Sequence, residues 1–162
     1  MERGKILNLE SLKEVIENEK KQGKKISLAN GGFDIIHIGH IRYLKAAKKI
    51  GDILVVAINS DESLKTLKGD HRAEIDENGR AIIISSFEFV DYVTIFNELR
   101  VDNVLLAIKP DFHCKGSDYT IDSVPEKDIV KSYGGEIAIV GGSKIRSTSD
   151  IIKFESLKRG EK

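Results

Sequence analysis

Two histidines three positions apart are the residues of this chain best placed to do chemistry. His37 and His40 flank Gly39 and follow a loop that contains two adjacent glycines, Gly31 and Gly32. If a helix begins near His37, both imidazoles lie on one face of its first turn, beside free backbone N–H groups and the positive end of the helix dipole. Because Gly39 carries no side chain, an anion can approach the backbone closely there. The pattern therefore favours a polyphosphate site.

Two other interpretations of the histidine pair stay open. The rings can form a half-buried, hydrogen-bonded feature of the core, or they can bind a metal. Zinc needs a third and usually a fourth nitrogen or sulfur ligand, and the remaining candidates, His71, His113 and Cys114, have no paired spacing. We therefore predict no protein-bound metal and assign these three residues no role. The strand, glycine loop and helix around the pair favour phosphate chemistry.

The elements that must position the histidines alternate along the chain. Buried strands are predicted at 26–29, 53–58, 91–96, 112–115 and 136–140. Helices are predicted at 8–23, from 37 onward, and at 80–90, 101–108, 126–133 and 151–154. This alternation predicts a Rossmann-like open sheet of about five parallel strands with helices on both faces. Ligands of such sheets bind at the carboxyl ends of the strands near the switch point, so the loop after the first strand is the expected site.

Charged residues follow the second predicted strand at the same edge of the sheet. Asp61 comes first, and the segment after it is predicted to be a mobile basic loop that closes over phosphates, through Lys65, Lys68 and Arg72. A solvated polar loop is an equally good interpretation of each lysine taken singly. Arg80 opens the next predicted helix, where a cation opposes the dipole. Its position predicts a specific partner for the guanidinium.

Two further polar segments lie at positions where anions can bind. Lys115 and Asp118 follow the fourth predicted strand, in a segment whose Gly-Ser-Asp sequence is also typical of an ordinary turn. A second cluster precedes the last predicted helix and consists of Arg146, Ser147, Thr148 and Ser149. Hydroxyl residues at a helix start are the usual N-caps. A cap cluster with an adjacent arginine can also bind phosphate, and the two interpretations are compatible.

Composition limits the classes of function. A chain of 162 residues most simply makes one domain, which we assign to residues 1–162. Acidic and basic residues balance at 26 each, so no global field draws the protein to nucleic acid or to an anionic membrane. A single cysteine excludes an internal disulfide and fits the cytoplasm. No stretch is apolar and long enough to predict a membrane span.

Several motifs together resemble the cytidylyltransferase-like nucleotidyltransferase family. They are Gly31-Gly32-Phe33-Asp34, His37-Ile38-Gly39-His40 and Ser147-Thr148-Ser149. The segment Lys115-Gly116-Ser117-Asp118-Tyr119-Thr120 is more specific and resembles the heptose branch, the nucleotidyltransferase domain of ADP-heptose synthases. The resemblance covers nearly the whole chain and implies the same fold.

The resemblance also implies roles for individual residues. His37 and His40 would stabilise the leaving pyrophosphate, and Lys68 would be a mobile lysine near the transferred phosphate. The nucleotide would be held by Gly31, Gly32, Phe33, Asp34, Gly39, Asp118, Arg146, Ser147, Thr148 and Ser149. The acceptor would be held by Asp61, Lys65, Arg72 and Lys115. Mg²⁺ would enter with the nucleoside triphosphate, and a homodimer is the family expectation.

The expected reaction is transfer of a nucleotidyl group to a sugar 1-phosphate such as D-glycero-D-manno-heptose 1-phosphate, with ATP as the expected donor. Glycerol-phosphate cytidylyltransferases carry an arginine where Glu88 stands and another basic residue where Gly142 stands, which weakens that alternative. Adenylylation of FMN is a third possibility, because Asp76-Glu77-Asn78 with Arg80 resembles archaeal FAD synthetases. A regulatory module that binds nucleotide without turnover is the non-enzymatic alternative. Heptose-branch enzymes are often fused to a sugar kinase, and this chain resembles a free-standing version.

Overall fold

The computed structural model describes residues 4–69 and 73–142, and within these ranges the chain alternates between strands and helices. The strands are β1 Ile26–Gly31, β2 Ile53–Asn59, β3 Tyr92–Phe96, β4 Phe112–Lys115 and β5 Glu136–Ile139. The α-helices are α1 Leu9–Lys21, α2 Ile38–Ile50, α3 Asp61–Lys68, α4 Glu77–Ser85, α5 Asp102–Ile108 and α6 Lys127–Ser132. A short 3₁₀ turn, Ile121–Ser123, precedes α6. The predicted last helix, at 151–154, lies outside the described residues.

The five strands are all parallel and lie in the order β3-β2-β1-β4-β5. The predicted Rossmann-like sheet is therefore confirmed. From β1 the chain builds outward through β2 to β3, then returns to the other side of β1 to form β4 and β5. The loops after β1 and β4 consequently leave the sheet in different directions and open a crevice at its carboxyl edge. The histidine motif follows β1 and lies at this switch point.

Two apolar cores cover the two faces of the sheet. On one face, Ile26 and Leu28 of β1 pack with Leu12 of α1, and α5 and α6 complete the layer. On the other face, Ala29 packs with Leu44 of α2, and α4 lies beside it. Successive residues of β1 therefore serve opposite cores, as the twofold period of a strand requires. Within the described ranges, no helix is both long and apolar enough to cross a membrane.

The segment directly after β2 is helical, so the prediction of a mobile basic loop is wrong for residues 61–68. The Ser60 hydroxyl caps α3 by accepting a hydrogen bond from the Ser63 N–H at 3.0 Å. Asp61 lies in the first turn and Lys65 and Lys68 in the last, which complements the helix dipole at both ends. These are ordinary helix signals. They outweigh the interpretation of the lysines as phosphate ligands of a loop.

The boundaries of α4 also differ from the prediction of a helix at 80–90. The helix begins at Glu77, because the carboxylate of Asp76 accepts a hydrogen bond from the Gly79 N–H at 2.7 Å and caps it. It ends at Ser85, and the chain then turns into β3. Arg80 is therefore the fourth residue of α4 and not its first. The helical assignment itself is confirmed, despite the β-branched run at 82–84.

The guanidinium of Arg80 is fully buried and joins four segments at the carboxyl edge of the sheet. Its Nη1 donates to the carbonyls of Gly32 and Asn59, both at 2.7 Å, so it links the ends of β1 and β2. Its Nε donates to the Ile75 carbonyl at 3.0 Å, and its Nη2 donates to the Asp61 carboxylate at 2.8 Å. The expectation of a specific partner is met inside the protein. The carbonyls satisfy a charge that would otherwise be costly to bury.

Removal of the Arg80 guanidinium should destabilise the protein strongly. Arg80→Met keeps most of the side-chain volume but leaves three main-chain carbonyls without their donor, and we expect a loss of about 3–5 kcal/mol in the free energy of unfolding. The measurement is urea denaturation. Arg100→Met is the matched control, because that side chain is 49% exposed and pairs with Asp102 at the surface, so its loss should stay within about 1 kcal/mol. Equal losses in the two variants would contradict the role given to Arg80.

Candidate active site

A cavity of about 390 Å³ occupies the crevice at the switch point. Its walls come from four segments: residues 30–33 at the end of β1, 37–43 at the start of α2, 115–119 after β4 and 140–142 after β5. The volume is in the range of small-molecule sites. The cavity therefore lies where an open parallel sheet is expected to bind its ligand.

The turn from β1 towards α2 depends on two glycines. Phe33 adopts a left-handed backbone conformation (φ 51°), and its buried ring makes a T-shaped contact with the ring of His40, 5.5 Å between ring centroids. A Cβ on Gly31 would lie 3.1 Å from the Phe33 ring, and one on Gly32 would lie 3.0 Å from a methyl group of Leu64 in α3. The glycines therefore allow the phenyl ring and α3 to pack directly against the loop backbone.

The two histidines cap the helix that carries them. His37 is the N-cap of α2, and its Nδ1 accepts a hydrogen bond from the Gly39 N–H at 3.1 Å. The Nδ1 of His40 accepts one from the His37 N–H at 3.2 Å, which completes a reciprocal capping box. An acceptor nitrogen carries no proton, so each neutral ring carries its proton on Nε2. The rings lie 3.9 Å apart between centroids and present two N–H donors as a pair.

The field at this helix start favours an anion. The first turn of α2, which the structure describes in full, contains no acidic residue, whereas α3 carries Asp61 and Glu62 in its first turn. The positive end of the α2 dipole is therefore not offset by a carboxylate of its own helix. Together with the Nε2–H donors of His37 and His40, it makes this wall of the cavity suited to phosphate oxygens.

The opposite wall contains a buried ammonium group. The side chain of Lys115, at the end of β4, is 9% exposed, and its Nζ lies 3.6 Å from the Glu126 carboxylate and 3.4 Å from Asn30 Oδ1. The Tyr119 ring lies 5.1 Å from the same Nζ. Burial lowers the pKa of Lys115, and the charge of Glu126 opposes that effect. The cavity therefore has cationic or N–H donor groups on two sides.

Several lining residues were missed by sequence reasoning. Asn30 is the residue of β1 before Gly31, and Tyr43 lies one helical turn after His40 on the same face of α2. The Tyr43 hydroxyl donates to the Cys114 carbonyl at 2.6 Å and so ties α2 to β4. Burial raises the pKa of Tyr43 above its usual value, which keeps the hydroxyl a donor. The spacing of three from His40 was the signal in the sequence that pointed to Tyr43.

The family model described as "Cytidylyltransferase-like" matches residues 28–154. The chain belongs to the cytidylyltransferase-like family. It is 47% identical over 148 residues to the bifunctional protein HldE of Geobacter metallireducens and 41% identical over 149 residues to that of Geobacter sulfurreducens. These alignments cover 91% and 92% of the chain but 30% of each relative. The chain thus spans about a third of the length of these curated relatives.

Two solved structures are similar in fold. The lipopolysaccharide core biosynthesis protein of Thermoplasma volcanium is 33% identical, with a TM-score of 0.61 over 73% of this chain and 95% of its own. The pantoate-beta-alanine ligase of Francisella tularensis is 16% identical, with a TM-score of 0.56 over 97% of this chain and 78% of its own, and shares the fold alone. The family match and the relatives make this chain a nucleotidyltransferase. The resemblance drawn from the sequence motifs is confirmed.

Eight of the residues expected to form the cytidylyltransferase-like site line the cavity together. They are Gly31, Gly32, Phe33, His37, Gly39, His40, Lys115 and Asp118. None of the lining residues that the structure describes belongs to α3, so Lys65 and Lys68 lie outside the cavity, and Asp61 is paired with Arg80. The other expected site residues, Arg72, Arg146, Ser147, Thr148 and Ser149, lie outside the described part of the chain.

Asp34, expected to bind the nucleotide, contacts another loop of the protein. Its two carboxylate oxygens accept hydrogen bonds from the N–H groups of Glu74 and Ile75, both at 2.9 Å. Burial alone would raise the pKa of Asp34, but these two bonds, with the charges of Arg80 and Lys68, lower it overall below its ordinary value of 3.8. The carboxylate of Asp34 therefore links the loop before α4 to the glycine-containing loop after β1.

The contribution of Asp34 to stability should depend on pH. Because the pKa of Asp34 is lowered in the folded state, its stabilising effect is complete above about pH 4, the ordinary range of aspartate, and is lost as the pH falls through the lowered value. Asp34→Asn should therefore reduce the free energy of unfolding at neutral pH, and the difference from the parent should shrink in acid. Urea denaturation across this pH range measures it. Glu88→Gln, an exposed carboxyl, is the control and should follow the parent throughout. A difference for Asp34→Asn that grows in acid would contradict the assignment.

Proposed function

We propose that this nucleotidyltransferase transfers a nucleotidyl group to a sugar 1-phosphate and releases pyrophosphate. The favoured donor is ATP, which supplies an adenylyl group. The favoured acceptor is D-glycero-D-manno-heptose 1-phosphate. One observation carries the proposal: a single cavity has paired histidine N–H donors at a helix start on one wall and a buried ammonium on the other. Two anionic substrates need such separate positive groups in order to approach each other.

The histidine wall suits the triphosphate. In the proposed complex, His37 and His40 donate from Nε2 to phosphate oxygens, and the backbone of Gly31, Gly32, Phe33 and Gly39 approaches the nucleotide closely. Both rings are already held by the capping box, so little reorganisation is needed when charge develops. The expected contributions of Asp118, Arg146, Ser147, Thr148 and Ser149 to nucleotide binding belong to the same proposal.

The reaction itself needs no nucleophile from the protein. An oxygen of the acceptor phosphate, already ionised at neutral pH, attacks the α-phosphorus in line, and the bond from that phosphorus to the bridging oxygen of the β-phosphate breaks. The electron pair leaves with the pyrophosphate, whose growing charge the histidine donors stabilise. Catalysis by this chain then consists of positioning and electrostatic stabilisation.

The donor set is compatible with Mg²⁺ carried by the substrate. Across the described residues, no group of three or more histidine, cysteine or acidic side chains is arranged to hold a metal ion. Asp118 is the one acidic side chain among the described residues that line the cavity. Magnesium prefers oxygen ligands and keeps several waters, so triphosphate oxygens with at most one carboxylate suffice. When bound, the ion would neutralise phosphate charge, and Asp118 is the residue we expect to face it.

The acceptor assignment rests on sequence likeness. The segment at 115–120 resembles the heptose branch. Two relatives of the chain are bifunctional HldE proteins, and the Thermoplasma volcanium relative is a lipopolysaccharide core biosynthesis protein. Lys115 is the acceptor-binding residue on the cavity wall, and the expected contributions of Asp61, Lys65 and Arg72 to acceptor binding belong to the same proposal. The proposal also gives Lys68 a role near the transferred phosphate. It includes a single domain over residues 1–162, a homodimer and a cytoplasmic location.

Substitution of His40 tests the catalytic role of the pair. His40→Ala should lower kcat by about 100-fold or more, the scale seen when a preorganised donor is lost. His40→Gln should recover part of that loss, because its amide nitrogen can donate near the position of Nε2. Steady-state kinetics of both variants, with circular dichroism to verify folding, measures this. Turnover of folded His40→Ala within a few-fold of the parent would refute the role.

An acceptor panel tests the substrate. We expect a heptose 1-phosphate with ATP and Mg²⁺ to give a higher kcat/KM than glycerol 3-phosphate with CTP, because hydrogen bonds to sugar hydroxyls discriminate strongly against smaller analogues. FMN with ATP is the third pair. Pyrophosphate release measures all of them. Preference for glycerol 3-phosphate or FMN would reject the sugar 1-phosphate and leave nucleotidyl transfer intact.

A further inference from the structure

A buried polar cluster lies on the face of the sheet opposite the histidine pair. Asn30 alternates with Ala29, which faces the core beneath α2, and His113 and Lys115 alternate with Cys114, which faces the same core. Asn30, His113 and Lys115 therefore point to the face covered by α1, α5 and α6. The cavity lies at the carboxyl edge of the sheet and is lined from both faces of the sheet. Residues of α2 line it from one face, and Asn30 and Lys115 line it from the other.

The chemistry of the cluster determines which way the Asn30 amide points. Lys115 Nζ can only donate, so the amide atom 3.4 Å from it is the oxygen. The same oxygen lies 3.0 Å from His113 Nε2, which must therefore carry the proton. Burial, with the nearby charge of Lys115, lowers the pKa of His113 to about 3, so its ring stays neutral in solution near pH 7. With the oxygen held by both neighbours, the two N–H donors of the Asn30 amide are directed away from them.

The ion pair between Lys115 and Glu126 in this cluster is a long one. Lys115 and Glu126 are both buried, yet the nitrogen and oxygen lie 3.6 Å apart, which is too long for a hydrogen bond. Glu126 Oε2 accordingly has no hydrogen-bond partner within the described residues. A buried ammonium held this loosely beside a cavity can gain an anionic ligand without first breaking a strong pair.

We infer that Asn30 and Lys115 form the binding site for the phosphate of the acceptor, with Asn30 Nδ2 and Lys115 Nζ donating to its oxygens. His113 and Glu126 are positioning residues that orient the amide and the ammonium. This inference rests on the proposed transfer between two phosphorylated substrates. In the proposed complex the triphosphate binds at the histidines. Asn30 and Lys115, on the other face of the sheet, would then hold the acceptor phosphate so that its oxygen approaches from a different side.

The test separates acceptor binding from nucleotide binding. Lys115→Met should raise the KM of the acceptor by about 10- to 100-fold, the range for loss of a charge-assisted hydrogen bond. Asn30→Asp should raise it at least as much, because the new carboxylate keeps an oxygen for Lys115 and His113 but replaces the donor with a repelling charge. In both variants the Kd of a non-hydrolysable triphosphate, measured by calorimetry, should stay within about threefold of the parent.

Further variants separate positioning from packing. His113→Leu should raise the KM of the acceptor because it releases the Asn30 amide, and His113→Gln should restore much of the loss through its own N–H. Lys127→Met is the matched control for Lys115→Met, since it removes an exposed lysine that follows Glu126 and pairs with Asp122 at the surface. Its kinetics should match those of the parent.

Two results would overturn the inference. The first is that Asn30→Asp and Lys115→Met fold and their KM for the acceptor is unchanged. The second is that these variants lose as much affinity for the triphosphate as for the acceptor. The series is run with whichever phosphorylated acceptor the native chain uses. If that acceptor is glycerol 3-phosphate or FMN, the proposed sugar 1-phosphate is wrong, while the same variants still decide where its phosphate binds.

Discussion

A buried guanidinium cannot remain in a protein interior without acceptors, and this constraint organises the carboxyl edge of the sheet. Arg80 meets it with the carbonyls of Gly32, Asn59 and Ile75 and the carboxylate of Asp61. The ends of two strands and the starts of two helices are thereby held at fixed separations. The loop that carries the cavity's glycines is one of these segments, so the shape of the site depends on a residue that does not line it.

The histidine pair illustrates how a fold can prepare a site before a ligand arrives. The backbone N–H groups of His37 and Gly39 donate to the two Nδ1 atoms, so each neutral ring carries its proton on Nε2. The same bonds cap α2. Orientation of the donors thus comes from interactions that stabilise the helix in any case. The Tyr43 hydroxyl donates to the Cys114 carbonyl, so a hydrogen bond also links α2 to β4.

The sequence predicted what depends on local pattern. Apolar runs and their period identified all five strands, with β4 correct to the residue, and the strand–glycine–histidine–helix pattern located the cavity. Long-range partners were beyond reach. No local signal pairs Arg80 with Gly32, or directs both oxygens of Asp34 to residues forty positions away in the chain. The helix after β2 had a local signal in Ser60 and its acidic first turn. Its lysines also fit a phosphate-binding loop, which is why the sequence pattern was ambiguous there.

The close approach between Gly32 and Leu64 has a consequence for how the family can diverge. Any residue larger than glycine at position 32 would bring its Cβ to 3.0 Å from a Leu64 methyl group, so it requires a smaller or displaced side chain at 64. A relative with a larger residue at the position of Gly32 should then carry a compensating change in α3. The size of the residue at 32 is therefore limited by the side chain at 64.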